Sequence, residues 1–478
     1  MGMRSLSKKL KSLEASVQTT QESTAGKSAP TAVLHDLSAL QARLNGQWWG
    51  HSEGQVLYAE EIFPVSMTYG RSKVHLSTSL QQLSRWLGLE TLATTPLEQM
   101  LFLDTETTGL AGGAGTYAFM VGLGWFTEAG FCLRQFFLRD PSEENEFLQV
   151  LAEQFVNKTL LVTFNGKSYD VPLLRNRFAL KKQPFSLDSL DHLDLLTLAR
   201  RLWSNRLPSR RLRALESEIL GVERSEEDIE GHLIPDVYFG FLKNGEVGQL
   251  PQVFHHNKMD IVAMVALLEH IAWMAEEPLD GRIPHAEDLA SIAMWLEQQK
   301  HIEEAIALYD ACLQGRLPEE LRQKVMERFA LLKKRDEDWN AAVALWIINA
   351  TKGSIDSHIE LAKYHEHRTK NIDEALHWTQ KAIKLLRTPK VPRHLRFRWW
   401  DPLEHRRDRL LRKQKGLPVE EDESPDSLIH PARRLSASTP EPTSTTETTS
   451  PRTRHRGRSS SGFPPATRRR RSPDKREP

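Results

Sequence analysis

The chain has little of what would tie it to an oxidising compartment or to a membrane. Its 478 residues include only two cysteines, Cys132 and Cys312. Two thiols build neither a disulfide framework nor a cysteine-based zinc site, and they suit a reducing, cytoplasmic setting. No apolar run reaches the ~18 residues of a membrane-spanning helix. The N-terminal MGMRSLSKKLKSLEAS lacks the apolar centre of a secretory signal. After Gly2, Leu6 stands where a myristoylation signal needs Ser or Thr. Neither sign of charge dominates: 64 Lys and Arg oppose 63 Asp and Glu. Whole-chain charge therefore names no partner. Common catalytic signatures are missing too. AGGAGT, residues 111–116, lacks the Gly-Lys-Ser/Thr of a phosphate-binding loop and reads as a hairpin turn. There is no H-E-x-x-H. GHSEG, residues 50–54, matches G-x-S-x-G in letters, but a nucleophile elbow leads into a helix and a β-like run follows here.

What is present divides into four parts. Residues 1–45 are polar and are expected to be disordered. Residues 46–275 form an α/β domain. It opens with an N-terminal extension holding a β-like QVLYAEEIFPV and a helix-like LQQLSRWLGLE. LFLDTE, TYAFMVGLGWF and FCLRQFFLR then read as three successive strands, and LLVTFNG as a fourth. YDVPLLRNRFAL, LDLLTLARRLW, RLRALESEIL and DIVAMVALLEHIAWM read as helices. Strands in a meander, followed by alternating helix and strand, predict a mixed sheet flanked by helices. Residues 285–415 are helical. IEEAIALYDACL, WNAAVALWIINA and IDEALHWTQKAI align through Ala305, Ala342 and Ala375 at intervals of 37 and 33 residues. That is near the ~34-residue tetratricopeptide period; the alternative is an ordinary helical bundle. The basic, aromatic RHLRFRWWDPLEHRRDRLLRK reads as the final helix capping the array, with nucleic-acid binding by charge and stacking as the other reading. Residues 416–478 turn Ser/Thr/Pro-rich and then Arg-rich, and are expected to be a disordered tail. Its basic end either holds phosphates or is simply solvated.

The chemistry lies in three acidic motifs. In LFLDTETTGL, residues 101–110, Asp104 and Glu106 are two apart on a strand and so share one face. Adjacent anions repel unless neutralised, and carboxylate oxygens suit Mg²⁺ or Mn²⁺. In LLVTFNGKSYDVPLL, Asp170 opens a helix. In FHHNKMDIVAMVALL, Asp260 is read at the start of a long apolar helix, with His256 four residues earlier and His255 five earlier. Residues four apart on a helix share a face, which places His256 beside Asp260. A His next to an acidic metal cluster is a candidate general base. Two metal ions ~3.5–4 Å apart activate water and stabilise the leaving oxygen of a phosphodiester. Asp194, in HLDLL, is a further acidic residue, read as supporting the site or capping a helix. Arg175, Arg177, Arg200, Arg201, Arg210 and Arg211 are candidate backbone contacts or a solvated helix face.

LDTETTGL, FNGKSYD and HHNKMD resemble the three motifs of the DEDD exonucleases of the ribonuclease H-like superfamily. The resemblance implies metal-ligand roles for Asp104, Glu106, Asp170 and Asp260. HLDLLTLARRLW, RLRALESEILGVER, DIEGHLIPDVYFGFLKNG and HHNKMDIVAM look like the YprB-type group of bacterial proteins, with a ribonuclease H-like domain followed by tetratricopeptide repeats. The likeness covers about residues 50–390. DEDD enzymes place a His five residues before the last Asp or a Tyr four before it; this chain has His at both positions. The YprB-type pattern favours His256 as the base, with His255 second. The resemblance implies a two-metal 3′→5′ exonuclease acting on DNA rather than RNA, in DNA repair beside a helicase held by the repeats. The rival readings are an RNA-processing nuclease of the same mechanism and a non-catalytic adaptor with a relic nuclease fold.

Overall fold

The computed structural model describes residues 37–50, 55–109, 115–225, 228–389 and 391–418. Most of AGGAGT, most of GHSEG and most of the two outer segments expected to be disordered lie outside the described residues. Nine strands occur among those described: β1 (Gly46–Trp49), β2 (Val56–Phe63), β3 (Thr68–Tyr69), β4 (Ser72–Lys73), β5 (Met100–Thr107), β6 (Ala118–Thr127), β7 (Gly130–Phe137), β8 (Leu160–Thr163) and β9 (Asp191–Asp194). Seven form one mixed sheet in the order β1-β2-β7-β6-β5-β8-β9. From β1 to β5 every pairing is antiparallel, and β5-β8 and β8-β9 are parallel. β5, which carries Asp104 and Glu106, therefore stands where the sheet changes direction.

The side-chain period of two divides the core. Met100 and Phe102 enter one hydrophobic cluster, Leu101 and Leu103 the other. Helices cover both faces: α1 (Leu37–Leu44), α2 (Gln81–Leu87), α3 (Glu144–Gln154), α4 (Asp170–Leu180), α5 (Leu195–Trp203), α6 (Ile234–Asn244) and α7 (Leu250–Glu276). Four details differ from the sequence expectation. Helix α1 occupies part of the segment expected to be disordered, because Leu40 and Leu44, one turn apart, bury themselves. The β-like run of the extension is a full member of the main sheet, with β2 paired to β7. RLRALESEIL is not one helix; a turn at Leu212–Leu215 passes into a π-helical turn at Glu216–Leu220. Helix α7 begins ten residues before Asp260, with Pro251 in its first turn, where a missing N–H costs nothing.

Helix α7 comes close to the sheet because β6 carries glycine where the two meet. A Cβ on Gly122 would lie 2.2 Å from Asn257 Oδ1 and 2.4 Å from Ile261 Cδ1. The first turns of α7 pack in one core cluster, and the stretch from Ile261 to Ala275 packs in the other.

Seven further helices follow: α8 (Ala286–Gln298), α9 (Ile302–Gln314), α10 (Glu319–Arg335), α11 (Trp339–Thr351), α12 (Ile355–His367), α13 (Ile372–Leu386) and α14 (Arg393–Gln414). Ala305, Ala342 and Ala375 are all fully buried. Asp338 and Asn371 cap α11 and α13 by accepting from backbone N–H groups three residues on. The helical region is not a bead on a linker. Ile292, Tyr309 and Phe329 belong to the same hydrophobic cluster as Phe102 and Val162 of the sheet. Trp86 meets Trp295 edge to face at 5.7 Å, and Arg206 pairs with the buried Asp288 at 2.8 Å.

Gly122→Ala is expected to lower stability by about 1–3 kcal/mol, since the methyl group must displace Asn257 and Ile261. Gly240→Ala, inside α6 with nothing within 4 Å of the new Cβ, is expected to raise it by about 0.5–1 kcal/mol. Urea unfolding of both variants tests the pair; equal midpoints would refute the close packing.

Candidate functional site

Each acidic motif ends at the same place for a local reason. β5 delivers Asp104 and Glu106, both half-buried, at its C-terminal end. The strand's pairing with β6 is irregular between Glu106 and Thr107. β8 ends in a tight turn in which Asn165 takes a left-handed φ of 69°. Asp194 clamps that turn: its carboxylate accepts from the backbone N–H of Asn165 at 2.8 Å and of Lys167 at 3.1 Å. It also caps α5 by accepting from Leu196 N–H. Asp194 thus supports the neighbouring turn from a buried position. The turn leads to Asp170, the first residue of α4, whose carboxylate accepts from the Thr105 hydroxyl. Helix α7 supplies Asp260 from its middle turns.

Three further residues surround these carboxylates: Asn257, Arg224 and Asp228. Asn257 is fully buried and donates to Asp104 Oδ2 at 2.8 Å, while its own oxygen accepts from Gln135 at 2.9 Å. Arg224 pairs with Asp260, with Glu216 at 2.8 Å and with Asp228 at 3.4 Å. Tyr69 donates to Glu216 at 2.6 Å behind it. Asp228, with its side chain 1% exposed, accepts from His256 Nδ1 at 2.8 Å. The other ring nitrogen, Nε2, lies 3.9 Å from Asp260 Oδ2. All three lie inside quoted stretches, Asn257 in HHNKMD, Arg224 at the end of RLRALESEILGVER and Asp228 at the start of DIEGHLIPDVYFGFLKNG, but none was marked there as a site residue. Arg224 and Asp228 sit in an irregular stretch where no spacing marks them. His255 does not join this group; it lines a separate hollow with Arg43, Glu60, Gln135 and Lys258.

The electrostatics follow from crowding. Burial first, and then the charges of Asp260, Asp170 and Glu106, lift the Asp104 carboxyl well above its usual range; the Asn257 hydrogen bond opposes them. Glu106 is raised by burial, Asp260, Asp170 and Asp228, with Arg224 opposing. Asp170 is pushed up to about 6, chiefly by burial. Burial would lower the Arg224 guanidinium, but Asp260 and Glu216 outweigh it and hold it above its ordinary range. One buried cation thus faces a surplus of anions. All the free donors are hard oxygens, the set that suits Mg²⁺ or Mn²⁺. Among the described residues no three or more His, Cys, Asp or Glu side chains stand together as a group that could hold a metal ion. Each carboxylate leans on its own neighbour instead: Asp104 on Asn257, Asp170 on Thr105 and Asp260 on Arg224.

Beside the cluster is a hollow of about 390 Å³, lined by Asp104, Asp260, Phe164, Asn165, Leu196, Arg200, Arg210, Arg211 and Leu212. Its lining brings two carboxylates, Asp104 and Asp260, together with three arginines. Of the six arginines marked in the sequence, these three face it. The other three do not line it and have partners elsewhere. Arg177 is buried against Glu144, Arg175 pairs with Asp188, and Arg201 lies over the Trp295 ring. No described helix is long and apolar enough to cross a membrane.

Comparison with known proteins agrees with this architecture. A ribonuclease H superfamily model matches residues 101–272, the stretch from β5 to α7. The Bacillus subtilis (strain 168) protein named "Uncharacterized protein YprB" is 32% identical over 289 residues, covering 59% of this chain and 69% of that protein. Members of the superfamily are generally metal-dependent nucleases, so the fold points to nucleic acid as the substrate class. The chain belongs to the family of YprB, within the ribonuclease H superfamily.

Proposed function

We propose that the protein is a metal-dependent 3′→5′ exonuclease that hydrolyses phosphodiester bonds. The observation that carries the proposal is the electrostatic crowding of Asp104, Glu106, Asp170 and Asp260, two of which, Asp104 and Asp260, line a hollow shared with Arg200, Arg210 and Arg211. The four carboxylates would hold two divalent ions, Mg²⁺ or Mn²⁺. When bound, these ions lower the pKa of water and stabilise charge on the leaving oxygen. The chain's own residues divide the remaining work. The arginines attract and orient the phosphate backbone. Phe164 offers an apolar wall against which a base can stack. His256 Nε2, beside Asp260, accepts the proton of the attacking water. The cluster's burial strengthens each of these interactions by excluding solvent.

The DEDD-type assignment and the 3′→5′ direction rest on the resemblance to the DEDD exonucleases. Preference for DNA, and a place in DNA repair beside a helicase, rest on likeness to the YprB-type group. The helices from α8 onward, read as tetratricopeptide-like, would hold the protein partner. An RNA-processing role differs only in substrate, and parallel assays separate the two. The relic-fold reading is disfavoured by the site itself: clustered carboxylates cost stability, and nothing maintains them without use.

Purified protein with Mn²⁺ or Mg²⁺ and 5′-labelled DNA or RNA is expected to give a ladder shortening from the 3′ end. Asp104→Ala and Asp260→Ala should reduce it to background. Inactivity on both substrates, together with no metal binding by calorimetry, would sink the proposal. Arg210→Ala is expected to weaken binding across all sequences and to reduce the salt slope of binding by about 1.

A second expectation concerns stability in chelator. A carboxylate whose pKa is raised by folding destabilises the fold above that pKa, and the penalty fades as pH falls toward the unfolded value. Asp104→Asn should therefore raise stability at pH 7.5 by on the order of 1 kcal/mol, and the gain should shrink toward pH 5. Mn²⁺ should then stabilise the wild type more than the variant. Identical melting curves across pH and metal would contradict the reading.

A further inference from the structure

The motifs supply four carboxylates and a histidine, but a lone imidazole on a helix surface is a poor general base. It rotates, and its proton sits on either nitrogen. Neither freedom remains for His256. Its Nδ1 is 2.8 Å from Asp228 Oδ1, and its Nε2 faces Asp260 Oδ2 at 3.9 Å. Asp228 is not a casual surface partner: its side chain is 1% exposed, and that of His256 is 17% exposed. Asp228 is itself held from behind. Its Oδ2 lies 3.4 Å from Arg224 Nη1 and 4.0 Å from Arg213 Nη1. Arg224 is in turn fixed by Glu216, whose other contact is the Tyr69 hydroxyl. A chain of buried, charge-assisted bonds thus runs from the protein core to one nitrogen of His256.

The chemistry of the pair follows from its donors and acceptors. A carboxylate set against guanidinium groups only accepts, so the proton of this bond belongs to Nδ1. In neutral imidazole the lone pair is then on Nε2, the nitrogen turned toward the acidic cluster. Nε2 also has room in front of it. Residue 231 is glycine, and a Cβ built there would come no closer to Nε2 than 4.0 Å.

We propose that Asp228 is a positioning residue that fixes the ring orientation and tautomer of His256, and that Arg224 holds Asp228 and Asp260 in register across the ring. The inference rests on the nuclease reading above. In the step it serves, an O–H bond of water breaks and the proton goes to Nε2. The water oxygen bonds to phosphorus, and the bond from phosphorus to the leaving 3′ oxygen breaks. Asp228 stays ionised throughout and offsets the charge of the imidazolium that forms. Asp228 is placed to act chiefly through His256, with its charge also felt by Glu106 and by Arg224.

The test has one readout that needs no activity. In the full-length protein labelled with ¹⁵N-histidine, the His256 signals are identified by their loss in His256→Gln. They should show Nδ1 protonated and Nε2 bare in the wild type. In Asp228→Asn the amide can donate to Nδ1 as well as accept from it, so the tautomers should mix or reverse. With labelled DNA or RNA, Asp228→Asn should lower kcat about 100-fold or more while KM stays within about twofold. The same change in a His256→Gln background should cost little further. Asp228→Ser, smaller and uncharged, repeats the measurement should Asp228→Asn fold poorly. An unchanged tautomer, or an additive loss in the double variant, would overturn the inference while leaving the nuclease reading intact. A protein inert on all nucleic acids that still shows the Nδ1–H tautomer, lost in Asp228→Asn, would overturn the nuclease reading and keep the positioning role.

Discussion

Carboxylates gathered in one half-buried place repel each other and lose their hydration, and the architecture around β5 is arranged to tolerate this. Asp104, Glu106, Asp170 and Asp260 all face that double cost. The protein meets it with directed partners. Asn257 and the Thr105 hydroxyl each donate one hydrogen bond, and Arg224 supplies one buried positive charge. A buried arginine is itself expensive to desolvate, and Glu216, Asp228 and Tyr69 complete its surroundings. The remainder is a net demand for positive charge. Such a demand is what a cation-dependent site needs, since a cluster satisfied by its own protein would have little reason to take up an ion.

Helix α7 transmits that constraint to the rest of the fold. One face carries His256, Asn257 and Asp260 toward the cluster, while residues from Ile261 to Ala275 are buried along one core. Its distance from the sheet is set by glycines on β6, and Asn257 then reaches both Gln135 on β7 and Asp104 on β5. Movement of the helix would therefore disturb the core and the site together. The later helices reinforce this coupling. Because Ile292 and Tyr309 belong to the same cluster as the sheet, the first helices of the array brace the nuclease domain directly.

Much of the fold was legible in the chain. Short apolar runs opening LFLDTE and LLVTFNG mark β5 and β8, and the 37- and 33-residue spacing of buried alanines marks the helical pairs. Element ends were less legible. FHHNKMD belongs to α7 although its polar letters suggest a lead-in, because polar side chains on one helix face can serve a site while the next turns fill a core. HLD at the head of α5 is a strand, since parallel pairing with β8 outweighs the helical run that follows.

The sequence by itself determined which acidic residues share a face, because the periods of strand and helix are local properties of the backbone. It likewise determined that His256, four residues before Asp260, shares its helix face. It did not separate the arginines that face the hollow from those in ion pairs, nor identify Asp228, Arg224 and Asn257 as the partners of the cluster. The partners of the cluster depend on which segments meet across 28 to 153 residues of chain. Side-chain direction and counter-charge at such a meeting are properties of the packed solid alone, where burial makes each unpaired group costly and so decides its partner.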